Sequence, residues 1–227
     1  MFETFGVQHI APFFRGALLT LQICLITASL GMILGTVLGL ARTSQNMILS
    51  IVAKVYVNII RGIPLLVILF SIYFTVPMLF GARISREFAC ILGLSLYAAA
   101  YIAELVRGSI ESIPKGQTEA ASALGMGYIK RMIFIIMPQA VRLLIPPLVG
   151  LLITLVKDSS LVSVLNYIDL TRTGRIIGNL TMNPLLSYTI VAAFYFVICF
   201  SLSLLAAYAE KKLRGAPVRV MKGGLQE

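Results

Sequence analysis

Apolar residues in this chain gather into five long runs separated by short polar stretches. The runs cover about 13–41, 47–80, 87–106, 132–156 and 185–209. Each is long enough to cross a hydrocarbon layer as a helix, which takes roughly 20 residues. The pattern predicts an all-α integral membrane protein of about five transmembrane helices, in a single domain covering 1–227. In the first run, Gly31, Gly35 and Gly39 recur every four residues, a stripe that lets another helix backbone approach closely. The second run is too long for one simple span and is interrupted by Arg61-Gly62-Ile63-Pro64. Proline removes a backbone donor and glycine loosens the helix, so a break is expected near 61–64. The part before it carries Lys54 and Tyr56 and is expected to lie partly along the interface. The third run has a small-residue surface at Ala98, Ala99, Ala100 and Ala103, and an acid, Glu104, near its end. The fourth contains Pro138, Pro146 and Pro147.

Composition narrows the classes. Hydrophobic residues make up 59% and charged residues 12% of the 227 residues, with mean hydropathy +0.94. A soluble domain carries about 25% charged residues, so a water-soluble enzyme and a disordered chain are excluded. The net charge of +10 does not indicate nucleic acid, because the basic residues sit between and beside apolar runs. With the 107–131 stretch taken as cytoplasmic, ten Lys and Arg fall inside and six outside, which predicts a cytoplasmic C-terminus. The basic tail at Lys211, Lys212 and Arg214 reads as an anchor at anionic lipid. No positive segment precedes the first run, so it is expected to be a retained helix. Cys24, Cys90 and Cys199 each lie within an apolar run without metal-ligand spacing, and His9 is the single histidine. Neither a disulfide framework nor a metal site is implied. A membrane enzyme would cluster His, Asp or Glu at one level, and no such cluster is present in the sequence.

Polar groups inside apolar runs mark a solute path or a structural pair. Glu104 is one candidate, with an ion pair to Arg107 three residues on as its alternative. Arg61 is a second, with interfacial snorkelling as the alternative. Lys157 and Asp158 follow an apolar run directly, and Ser159 and Ser160 could cap a short helix through Ser163 and Leu165. The free amides of such a broken helix could hold a carboxylate; a plain outer loop is the competing reading. Asp169, Arg172 and Arg175 lie in the same stretch, and two arginines suit an acidic or amide side chain better than a basic one.

Residues 111–138 form two short helices with a glycine break at Gly125 and Gly127. A surface helix of this kind is either a docking knob or an ordinary connector. Glu119-Ala120-Ala121, three residues, Gly125, nine residues, Ile135, one residue and Pro138 resemble the EAA loop of bacterial ABC importer permeases. The family's Leu before the proline is Met137 here. Ile60-Arg61-Gly62-Ile63-Pro64, Tyr101-Ile102-Ala103-Glu104, Pro138-Gln139-Ala140, Lys157-Asp158-Ser159-Ser160 and Asp169-Leu170-Thr171-Arg172 resemble the polar amino acid uptake branch. The resemblance implies a cytoplasmic coupling helix, a bacterial inner-membrane location and a second permease subunit, identical or related. It also implies two separate ATPase subunits that bind ATP and Mg, and an extracytoplasmic solute-binding protein. Glu119 would pair with a basic residue of the ATPase, Ala120 and Ala121 would allow close approach, and Gly125 would permit the sharp exit. The chain has no G-x-x-x-x-G-K-[ST] phosphate loop, so no cofactor is expected in it. Glutamate, aspartate or glutamine is the favoured solute, with basic amino acids or cystine as the alternative. A channel or secondary transporter would leave the Glu-Ala-Ala spacing unexplained.

Overall fold

A computed structural model describes residues 4–81 and 83–214, with side chains to 208. The side chains of Lys211, Lys212 and Arg214 in the basic tail lie outside that range. The described residues contain helices and no strand. In order they are α1 (Ile10–Arg42), α2 (Met47–Gly62), α3 (Leu65–Phe70), α4 (Val76–Phe80), α5 (Arg86–Glu111), α6 (Lys115–Ala123), α7 (Tyr128–Arg131), α8 (Met137–Asp158), α9 (Leu170–Leu180) and α10 (Pro184–Arg214). Four stretches, Val7–Arg42, Arg86–Glu111, Tyr128–Leu165 and Pro184–Tyr208, are each long and apolar enough to cross a membrane. The pair Met47–Gly62 and Leu65–Phe80, bent by 105°, passes the same test together and makes a fifth crossing when taken as one span.

Local chemistry explains the boundaries. Asn46 opens α2, its side chain accepting from the amides of Ile48 (3.0 Å) and Leu49 (3.3 Å). Ser85 opens α5 in the same way through Phe88. Ile63 is extended (φ −108°, ψ 133°) because the ring of Pro64 disfavours helix in the residue before it. That residue makes the 105° bend where the sequence predicts a break. Two spans also contain a widened π turn, Ser71–Thr75 and Met132–Ile136. Each ends two residues before a proline, Pro77 and Pro138. Proline gives no amide hydrogen and crowds the carbonyl four residues back, and opening the turn relieves that clash. Met137 N–H accordingly donates to the Met132 carbonyl, five residues back.

The glycine stripe of α1 lies on α5. A Cβ at Gly31 would stand 2.8 Å from Ala98 Cβ, at Gly35 2.7 Å from Ile102 Cβ, and at Gly39 2.6 Å from Val106 Cβ. Both helices advance by four residues per contact, so they run parallel, and their backbones meet as small-residue stripes allow. Around this pair, Ile23, Leu69, Cys90, Leu94 and Ile102 are fully or almost fully buried. Many large apolar residues on the outer faces of α1, α2 and α10, such as Leu18, Leu25, Val52 and Phe196, are exposed, as lipid contact requires.

Residues 157–183 differ from both sequence readings. α8 passes without a break into a 3-10 turn (Ser159–Leu165), and α9 then lies against the start of α1. Leu170 N–H donates to Thr20 Oγ1 (3.0 Å), ten residues into α1. At 1.5 Å per residue that is about 15 Å along the helix. The stretch is therefore packed into one end of the bundle.

Candidate functional site

Three groups of polar residues stand out. The first surrounds Glu104 on α5. Its carboxylate pairs with Arg42 at the end of α1, with Arg107 one turn on, and with Arg61 at 3.0 Å. Arg107 also bridges to Glu111, and the Arg61 guanidinium lies over the Tyr101 ring, 5.3 Å from its centroid. Three guanidinium groups and two carboxylates leave the cluster one charge positive. A cavity of about 340 Å³ lies beside it, lined by Glu104, Gly108, Ser109, Ser112, Leu143 and Pro147 among others. The structure thus joins Glu104 and Arg61, two separate candidates in sequence, and includes the anticipated Glu104–Arg107 pair. Arg42 is the member that sequence reasoning missed. Its one signal is a basic residue in the last turn of a helix.

The second group is the 157–175 stretch, where the capping expectation is overturned. Ser159 and Ser160 cap nothing. Ser159 Oγ donates back to the Val156 carbonyl (2.7 Å), and Ser159 N–H is already bonded within α8. Because the α-helix continues into the 3-10 turn, no free amides arise there to hold a carboxylate. The helix that does start nearby, α9, is capped by Asp169. Asp169 is fully buried and accepts from Thr171 N (3.2 Å) and Arg172 N (2.8 Å). Thr20 takes Leu170 N–H, and Thr173 N–H bonds to the Asp169 carbonyl. All four first-turn amides are satisfied internally, so this N-terminus is closed to a ligand as well.

Tyr195 OH sits 3.1 Å from Thr171 Oγ1 and 3.5 Å from Asp169 Oδ2. Thr20 and Tyr195 complete this network, and nothing in their local sequence marks them. Tyr195 thus ties the last span to the start of α9 through its hydroxyl. Lys157 borders a cavity of about 520 Å³ between α8 and α10, beside Tyr195 and Cys199. Asp158, Ser160, Arg172 and Arg175 are half-buried. Among the described residues, Lys157, Asp158, Arg172 and Arg175 form no ion pair with one another or with the Glu104 cluster.

The third group is α6 and its exit. Glu119 and Ala120 are exposed, whereas Ala121 is 4% exposed and packs inward. The methyl of Ala121 thus seats α6 on its own chain, and the surface expected from Ala120 and Ala121 together reduces to Ala120. Gly125 has φ +75°. Gly125 N–H donates to Ser122 O (2.9 Å) and Met126 N–H to Ala121 O (3.1 Å), the paired bonds of a Schellman stop. Glycine is favoured there because a side chain disfavours left-handed backbone. The exit is tied down by Arg131 to Ser122 Oγ (2.5 Å) and by Tyr128 OH donating to the Thr43 carbonyl (3.2 Å). Beside α6 an open cavity of about 580 Å³ is lined by Ile110, Glu111, Ile113, Lys115, Thr118 and Glu119. Among the described residues, no group of three or more His, Cys, Asp or Glu could hold a metal ion.

Residues 30–215 match the family described as binding-protein-dependent transport system inner membrane component. The chain is similar to a probable amino-acid ABC transporter permease of Bacillus subtilis, YckA, with 39% identity over 87% of each chain. It is also similar to the arginine transport system permease ArtQ of Bacillus subtilis, with 38% identity over 92% of this chain and 95% of that one. A putative glutamine transport system permease of Rickettsia typhi shares 36% identity over 88% and 91%. Among solved structures, an amino acid ABC transporter crystallised with histidines superposes with TM-score 0.86 at 35% identity, covering 91% of this chain and 96% of that one.

Proposed function

Since the chain belongs to the binding-protein-dependent transport system inner membrane components and is an amino-acid ABC transporter permease, we propose that it lines the path of an ATP-driven importer of polar amino acids and takes its drive through α6. The observation that carries the coupling role is the geometry of α6. It is a short helix outside the crossing segments, presents Glu119 and Ala120 outward, and is stopped by a rigid turn at Gly125. A lever must be stiff and must expose a docking face, and this helix does both. It seats on a separate ATPase subunit, which binds ATP and Mg. Two such ATPases, a second permease chain and an extracytoplasmic binding protein complete the machine. The α6 end and the C-terminus face the cytoplasm, in keeping with the excess of Lys and Arg on that side.

For the solute we propose glutamate, aspartate or glutamine, handled along a path that includes Arg61, Glu104, Lys157, Asp158, Ser160, Arg172 and Arg175, the candidates in the two groups that are not fully buried. Support comes from the positive balance of the Glu104 cluster and from Arg172 and Arg175, which lack ion-pair partners among the described residues. A second reading, a basic amino acid, is favoured by the relative named for arginine.

The test is purification of the tagged chain in gentle detergent, with identification of the proteins retained. Wild type should hold an ATPase subunit, and Glu119→Lys should lose it while the spans stay folded. A homo-oligomer without ATPase would refute the coupling role and favour a channel or secondary transporter. Uptake that stops on ATP depletion at constant membrane potential separates these readings a second time. Competition by unlabelled glutamate, glutamine and arginine decides the solute, and preference for arginine refutes the acidic or amide assignment.

A further inference from the structure

The fourth crossing departs from a regular α-helix where it leaves α6. In the π turn Met132–Ile136, Met137 N–H reaches past Ile133 to the Met132 carbonyl. Pro138 next to it contributes no donor. In an α-turn the same Met137 N–H would bond to the Ile133 carbonyl instead, at the cost of the Pro138 clash that the widened turn relieves. Coupling between distant sites needs an element with two such arrangements.

One side chain touches both this turn and α6. Gln139 Nε2 donates to the Ile135 carbonyl at 2.7 Å and to Gln117 Oε1 at 3.4 Å. A backbone carbonyl can only accept, so the first bond fixes which end of the Gln139 amide faces the turn. The second amide hydrogen of the same nitrogen is then the one that faces α6, and Gln117 must present its oxygen. The primary amide thus spends one hydrogen on the widened turn and one on the coupling helix. Gln139 is half-buried and Gln117 exposed. The link can therefore make and break without unpacking the core.

We propose that Gln139 is a positioning residue that lets α6 set the bonding state of the π turn, and so the bend of the fourth crossing. This rests on α6 being the ATPase-contacting helix. Displacing α6 takes Gln117 away from Gln139, frees half of the amide, and loosens its hold on the Ile135 carbonyl.

The experiment uses the whole transporter, with ATPase and binding protein, in proteoliposomes. It reads solute taken up per ATP hydrolysed. Gln139→Glu keeps the size and removes both donors, Gln117→Met removes the acceptor, and Gln117→Glu keeps an acceptor. The expected result is a fall in uptake per ATP of about two- to tenfold in Gln139→Glu and Gln117→Met, the factor one neutral hydrogen bond supplies. Gln117→Glu stays near wild type, and all three variants retain the ATPase on purification. An unchanged ratio in Gln139→Glu would overturn the proposal. So would a loss in Gln117→Glu as large as in Gln117→Met. A parallel fall of hydrolysis and uptake, or loss of the ATPase, would make the two glutamines merely structural and overturn it equally. ATP-independent uptake by wild type strikes the premise instead, and is visible before any variant is compared.

Discussion

Gly35→Ala is the sharpest probe of how the bundle is held together. The added methyl would meet Ile102 Cβ at 2.7 Å, Ile102 Cγ2 at 2.8 Å and the Ala99 carbonyl oxygen at 2.8 Å. Ordinary contact begins near 3.4 Å, so α1 and α5 must separate by about 0.6 Å at this point. No rotamer change relieves the clash, because one of the three atoms is backbone. Overpacking of this size costs about 1–3 kcal/mol. Against it stands the gain of about 1 kcal/mol from replacing glycine by alanine within a helix. The net expectation is a loss of about 0–2 kcal/mol, taken as the difference of those two effects. Gly150→Ala in α8 is the matched control, since a Cβ there meets nothing within 4 Å. It should hold or raise stability, by up to about 1 kcal/mol. The assay is thermal unfolding in detergent, followed by labelling of the buried thiols of Cys24 and Cys90. At about 2–4 °C per kcal/mol for a chain of this length, Gly35→Ala should melt several degrees below Gly150→Ala. Equal melting temperatures would refute the close-packed parallel pair.

The same assay tests the network under α9. Thr20→Val removes the acceptor of the buried Leu170 amide and should cost about 1–3 kcal/mol; no change in melting would show that this amide finds another partner. Glu104→Gln leaves three guanidinium groups around a neutral amide. It should destabilise by about 2 kcal/mol, tempered by partial exposure, while Arg61→Met, at the most exposed of the three, should cost less. A larger loss in Arg61→Met would invert that ranking. Gly125→Ala forces a side chain into left-handed backbone at a cost of about 1 kcal/mol. It should reduce uptake per ATP with little change in the melting of the spans, and wild-type coupling would dissociate the Schellman stop from transport.

The sequence made some of this plain and concealed the rest for identifiable reasons. The break at Ile63 was readable because proline acts on its immediate neighbour. The use of the glycine stripe was readable too, but not its partner, since Ala98, Ile102 and Val106 lie far along the chain. Glu104 announced itself as an acid in an apolar run. Arg107 lies one turn away on the same helix, whereas Arg42 and Arg61 come from the ends of α1 and α2, and only the fold brings them to it. The serines after Asp158 misled because a Ser-Ser pair looks like a cap, whereas the helix simply tightens into a 3-10 turn. Thr20 and Tyr195 carry no local mark, since a hydroxyl in a span becomes a partner only when another segment reaches it. On α6 the Glu-Ala-Ala pattern located the helix, but which alanine faces outward depended on how the helix seats.

The parallel pairing of α1 and α5 also constrains how the chain is made. Gly31 and its partner Ala98 are separated by about 67 residues. At 5–20 residues per second, synthesis of that interval takes roughly 3–13 s. Throughout it the first helix sits in the bilayer with its glycine face uncovered, while the bent second crossing is inserted. A nascent chain stopped before Arg86 should therefore self-associate or be captured by a membrane chaperone. Release should come only once α5 emerges to cover the face. The surface that makes the finished bundle tight is one that the insertion machinery must guard until its partner is made.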